Sequence, residues 1–176
     1  MIESLSVEAN KKDELVHDVV KVKDFLSNSK LKIPIYQRPY KWSKIHVAQL
    51  VTDIKTFCKK PSYRFGTIVI HVNEKKDCLD IVDGQQRTIT LLLVIKALAK
   101  VYENYPPSDI KRDIQTLQST LVNFKFSNPL SQQNIYTNYK ELLRLVVDFD
   151  EEMVRFLLNN CEFIVFKLQD VSEAFQ

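Results

Sequence analysis

The sequence predicts an α+β domain: a small sheet, one buried central helix and a helical extension. Three observations carry this. "RFGTIVIHV", a charged "NEKKD" and "CLDIVD" read as a hairpin of two β-rich runs around a turn. Directly after it, the helical pattern from Gly84 is apolar on nearly all sides from Ile89 to Leu98, which suits a helix inside a fold. Beyond Pro107 come three helical patterns and an aromatic, β-branched strand, "CEFIVFKLQ".

Taken in order, Val19 to Val22 reads as a short strand running into a short helix near Lys23 to Ser27. Pro34 and Pro39 keep "KLKIPIYQRPYKW" extended, because proline fixes φ and restricts the residue before it. From Ser43, apolar residues at 45, 47, 50, 51, 54 and 57 give an amphipathic helix with Ser43 as its N-cap. The helix from Gly84 runs to about Tyr105, where two prolines stop it. Two later helices each start at a serine, Ser108 and Ser131, and a third starts at the acids of "DEEMVRFLLNN". "DVSEAFQ" reads as a further helix opening, with Asp170 or Ser172 as cap, in a chain expected to continue into a longer protein. The expected organisation is a core over residues 1–106 and a helical extension over 107–176 whose final strand returns to the core.

Composition narrows the class. The 176 residues are 45% hydrophobic and 27% charged, ordinary for a globular domain. No apolar run approaches the roughly 18 residues needed to span a bilayer, and the polar, acidic start is unlike a signal peptide, so a cytoplasmic location is expected. Cys58, Cys78 and Cys161 stand far apart, without ligand spacing, and read as buried or half-buried thiols. The histidines form no metal-ligand pair. The net charge is +3, with the basic excess in the first hundred residues and an acidic excess after them. That basic half suits either an anionic partner or a solvated lysine-rich surface. There are 2 glycines, Gly66 and Gly84, where an average protein of this length has roughly 12. Each is expected where the backbone tolerates no side chain.

Two stretches carry chemistry. At "DGQQR" a strand ends at Val82, Gly84 allows a tight turn and a long helix begins. The first N–H groups of a helix lack partners and its dipole adds positive charge, so the turn is a candidate anion site. Arg87 supplies a fork of donors, Gln85 and Gln86 neutral donors, and Asp83 a carboxylate for Mg2+ or a water. The plainer alternative is an Asp83-capped helix start with a surface arginine. In "IPIYQRPYKW", Tyr36, Tyr40 and Trp42 alternate with Gln37, Arg38 and Lys41. That strip suits a flat heterocycle or a DNA backbone. Its alternative is a loop whose aromatic side chains pack inward.

The ordered set "IPIYQRPYKW", "FGTIVI" and "DIVDGQQRTITLLLVIKAL" resembles the N-terminal domain of the GmrSD-type family of modification-dependent restriction and phage-defence proteins. The resemblance is strong over about residues 15–105 and weaker through the helices. It implies a ParB/sulfiredoxin-like core with a small mixed sheet. It also implies binding, and regulatory hydrolysis, of a nucleoside triphosphate with Mg2+. On that basis Gly84, Gln85, Arg87 and Thr88 hold phosphate with Arg38 and Gln37. Asp83, Gln86 and Arg87 serve hydrolysis, with Asp83 as the metal ligand. Tyr36, Tyr40, Lys41 and Trp42 stack on a base or touch DNA. The family's Asn-Arg-Gly segment and C-terminal His/Asn nuclease domain are not in this sequence, and a homodimer is compatible with it. The alternative function is a DNA-binding or modification-sensing module without turnover. A direct nuclease is disfavoured, because no group of acids accompanies the turn.

Overall fold

The computed structural model describes residues 17–34, 38–120 and 124–169. Five strands and six helices alternate unevenly along them. The first half holds β1 (His17–Lys21), α1 (Val22–Leu26), β2 (Leu31–Lys32), α2 (Lys44–Phe57), β3 (Tyr63–Asn73) and β4 (Cys78–Asp83). Then follow α3 (Gln85–Val101), α4 (Asp109–Gln118), α5 (Pro129–Leu145), α6 (Glu151–Asn159) and β5 (Cys161–Leu168). The strands form one mixed sheet in the order β1-β5-β3-β4-β2. β1 pairs antiparallel with β5, β5 parallel with β3, β3 antiparallel with β4, and β4 parallel with β2. The α+β class holds. The strand expected to return to the core is β5, which lies between β1 and β3.

Local chemistry explains most boundaries. Ser43 precedes α2 as expected, and its backbone N–H donates to His46 Nδ1 at 3.1 Å. Ser108 caps α4 by accepting from the Lys111 N–H, and Asp150 caps α6 by accepting from Met153. Three expectations shift. α3 ends at Val101 rather than near Tyr105: Tyr102 turns inward and its hydroxyl donates to the Phe149 carbonyl at 2.8 Å. α5 begins at Pro129, capped by Asn128, so Ser131 is inside the helix. β1 starts and ends earlier than expected, and Val22 already belongs to α1. The helix start expected at residues 170–172 lies outside the described residues. β2, two residues long, has no periodic signal to announce it.

α3 is the buried helix that its composition implies. Every residue from Thr88 to Ile95 is buried, as are Ala97 and Leu98, and it packs against α4 and α5. In β5, Cys161, Phe163 and Val165 alternate inward, and Phe163 meets Phe25 edge-on at 5.3 Å and Phe65 at 5.8 Å. Burial pushes the Cys161 thiol up to about 12, so it is an inert part of the core. Among the described residues no helix is long and apolar enough to cross a membrane.

Two irregularities in the sheet shape the region after β4. The β3–β5 register shifts between Arg64 and Thr67, an extra residue on β3 around Gly66. The β3–β4 register shifts between Val69 and Ile70, an extra residue on β4 at Val82. Bulges bend a strand and re-aim its side chains. Both glycines take positive φ, 112° at Gly66 and 95° at Gly84. A Cβ at Gly66 would stand 3.0 Å from Arg87 Nη1, and one at Gly84 would overlap Ile68 Cδ1, which is wholly buried. The expectation that neither site tolerates a side chain therefore has a conformational basis at both, and a steric one at Gly84. Gly84→Ala should cost about 1–3 kcal/mol through backbone strain and displacement of Ile68. Urea denaturation checks this; a loss below about 0.5 kcal/mol, the range of a neutral surface change, would refute it.

Candidate functional site

The DGQQR turn joins β4 to α3 at the floor of a cleft of about 500 Å3. Arg38, Trp42, Asp83, Gly84, Gln86 and Arg87 are among its walls. A somewhat larger cavity, about 540 Å3, lies among α3, α4 and α5, but its surface is mostly apolar and no residue of the turn lines it. The cleft is the place where polar side chains converge.

The start of α3 does not have the Asp83 cap of the plainer reading. Gly84 occupies the N-cap position in a left-handed conformation, and no side chain among the described residues caps the helix. Asp83 is exposed at the end of β4 and is not the cap. The first N–H to enter the helical ladder is that of Thr88, bonded to the Gly84 carbonyl at 3.0 Å. The helix end therefore keeps its positive character.

Arg87 stands in the first turn, half-buried, and makes no hydrogen bond or ion pair among the described residues. Burial pulls its guanidinium below its ordinary pKa, with Asp83 and then Tyr63 partly opposing that effect. Its planar group lies beside Gly66, where a Cβ would crowd it at 3.0 Å.

Gln86 has a different task. Its Oε1 accepts from the backbone N–H of Lys41 at 2.7 Å and of Trp42 at 3.2 Å, and its Nε2 donates to the Pro39 carbonyl at 3.0 Å. The amide thus fastens the 39–42 segment to the helix start, where its expected catalytic role would need the group free. Gln85 Nε2 donates to the Ile81 and Val82 carbonyls, at 3.1 and 2.7 Å, and secures the bulged end of β4. Thr88 is fully buried with its hydroxyl on the Gly84 carbonyl at 2.9 Å, so it cannot reach a ligand in the cleft as expected.

Tyr40 also departs from expectation. It is 1% exposed and cannot stack on a base or touch DNA. Its hydroxyl sits 2.8 Å from Thr90 Oγ1 and accepts from Asn138 Nδ2 at 3.0 Å. Thr90 Oγ1 already donates to the Gln86 carbonyl at 2.8 Å, so its one proton is committed and Tyr40 must donate to it. Burial raises the Tyr40 pKa, the two hydrogen bonds partly countering it. α5 completes the support. Ser131 Oγ accepts from Tyr40 N, Asn134 Nδ2 donates to the Tyr40 carbonyl, and Asn138 Nδ2 also donates to the Trp42 carbonyl at 2.8 Å. Sequence reasoning missed these three; their signal was a polar stripe at helical spacing on α5. Of the remaining strip, Arg38 and Lys41 are exposed and Trp42 is half-buried. Tyr36 and Gln37 lie outside the described residues. Among the described residues no three His, Cys, Asp or Glu side chains converge as a metal site.

Fold and site together define a mixed α+β domain with a polar cleft at a strand-to-helix turn. The family model described as "GmrSD restriction endonuclease, N-terminal domain" matches residues 22–176, and the chain belongs to this family. No curated protein is significantly similar to it.

Tyr40→Phe should leave Asn138 and Thr90 short of a partner and cost about 1–3 kcal/mol, read as a lowered denaturation midpoint. An unchanged midpoint would contradict the buried relay. Gln86→Ala should release the 39–42 backbone, measured as faster amide hydrogen exchange at Lys41 and Trp42 than in the wild type.

Proposed function

We propose that the cleft binds a nucleoside triphosphate, its phosphates lying over Gly84 at the start of α3. Arg87 carries this reading: a half-buried guanidinium that makes no hydrogen bond or ion pair among the described residues, at a helix start that no described side chain caps. A desolvated cation of this kind gains its compensation from an arriving anion, and its fork matches phosphate oxygens. The cradle around it supports the same reading, since Gly66 leaves room for the guanidinium where a side chain would crowd it. Exposed Arg38 gives the cleft a second cation. Asp83 is a single carboxylate at the mouth, which suits Mg2+ held mainly by phosphate oxygens and water. In this reading Asp83 and Arg87 serve hydrolysis, and Gln86 positions the rim.

Membership of the family supports a role in a restriction or phage-defence protein. There the nucleotide state would regulate DNA cleavage by a separate His/Asn nuclease domain or subunit. We take the core to be ParB/sulfiredoxin-like, supported by the phosphate-type turn between a sheet strand and a buried helix. A second reading, contact with DNA, is favoured by the exposed Arg38 and Lys41 beside half-buried Trp42. The two readings are compatible.

Calorimetry with Mg2+ tests the first. Arg87→Gln should weaken triphosphate binding by about 1.5–3 kcal/mol without lowering the stability of the free protein, because it removes an unpaired half-buried charge. Equal affinity would end the phosphate role. For the DNA reading, affinity should fall steeply with salt, and Arg38→Ala and Lys41→Ala should each reduce the log–log slope by about 1. A salt-independent signal would discount it.

A further inference from the structure

A smaller cavity of about 240 Å3 adjoins the cleft, and Trp42 and Arg87 line both. Its other lining includes His46, Gln49, Asp53, Tyr63 and Phe65. The aromatic rings brace one another. Trp42 stacks on His46 with centroids 5.4 Å apart and planes 17° from parallel. Tyr63 stacks on Phe57 at 4.7 Å and meets Phe65 edge-on at 5.2 Å.

Among these rings sits one carboxylate, that of Asp53 on α2, half-buried and held by two donors. Gln49 Nε2 donates to Oδ1 at 2.8 Å, and the Tyr63 hydroxyl to Oδ2 at 3.2 Å. No lysine, arginine or histidine among the described residues pairs with it. An ionised carboxylate has about four lone-pair sites, so each oxygen retains accepting capacity toward the cavity.

We propose that this cavity is the base subsite of the nucleotide site, an inference that rests on the phosphate reading of the neighbouring cleft. A flat heterocycle enters between the rings, and its amino edge donates to Asp53. Trp42 and Arg87 line both cavities, so a base held here and phosphates over Gly84 would sit against the same two side chains. The chemistry of Asp53 then sets selectivity. A carboxylate only accepts, so an edge of N–H groups is favoured and an edge of carbonyls is repelled. Guanine matches best, because its ring N–H and exocyclic amino group donate side by side to two oxygens. Hypoxanthine keeps the ring N–H and lacks the amino group. Cytosine presents an amino group where uracil presents a carbonyl.

Calorimetry on the full chain with Mg2+ tests this with matched pairs: guanosine against inosine triphosphate, cytidine against uridine triphosphate. Inorganic tripolyphosphate is a separate arm reporting on the cleft alone. The wild type should bind the amino-bearing member of each pair at least about tenfold tighter, and Asp53→Asn should abolish that preference. Equal affinities within both pairs, or a preference that survives in Asp53→Asn, overturn the base subsite. If tripolyphosphate still binds, the phosphate reading stands without it; if neither it nor any nucleotide binds, both fall. The wild-type pairs decide the matter whether or not the variant folds.

Discussion

The side-chain amide of Gln86 holds the cleft together. It is one planar group with an acceptor end and a donor end, and the 39–42 segment presents two N–H groups to one and a carbonyl to the other. A glutamate could accept but not donate when ionised, and an apolar side chain could do neither. That segment lies outside the sheet, so its backbone groups need side-chain partners. Gln86, Ser131, Asn134 and Asn138 provide them from two helices. The result fixes the segment that carries Arg38 and Trp42 relative to the turn that carries Asp83 and Arg87. The chain Asn138–Tyr40–Thr90–Gln86 extends the same support into the core, where satisfied polar networks specify one arrangement.

Arg87 and Gly66 illustrate a different constraint. The bulge at Gly66 removes a side chain from the space that the guanidinium occupies, so a strand irregularity and a charge are two halves of one device. Partial burial makes the cation uncomfortable and leaves it available. Evolved sites commonly keep such local cost where a ligand relieves it.

Much of this was legible in the sequence, for identifiable reasons. The β3–β4 hairpin and α3 are long and strongly patterned, so local composition suffices. The scarcity of glycine singled out Gly66 and Gly84, and positive φ at both, with steric contact with Ile68 at Gly84, explains them. The fate of Tyr40 was not legible. Tyr36, Tyr40 and Trp42 alternate along an extended segment, and nothing local says which of them turns inward. The groups that draw Tyr40 in, Ser131 and Asn138, come 91 and 98 residues later in the chain. The role of Gln86 was hidden for the same reason: an amide beside an arginine at a helix start suits a ligand or a loop equally, and only the folded position of residues 39–42 decides. Thr88 looked like part of a polar turn, although helical geometry sends its hydroxyl back to the Gly84 carbonyl.

The placement of β5 bears on how the chain is made. Its parallel ladder with β3 joins Tyr63 to Cys161, and its antiparallel ladder with β1 joins His17 to Phe166. During synthesis, β3, β4 and α3 can assemble from near neighbours, while β1 has no partner and one flank of β3 stays open until β5 emerges. Long-range pairings of this kind fold slowly, and an open strand flank is a surface on which other chains can add. The polar turn at the cleft can therefore take shape well before the sheet beneath it closes, and chaperone protection would matter most in that interval.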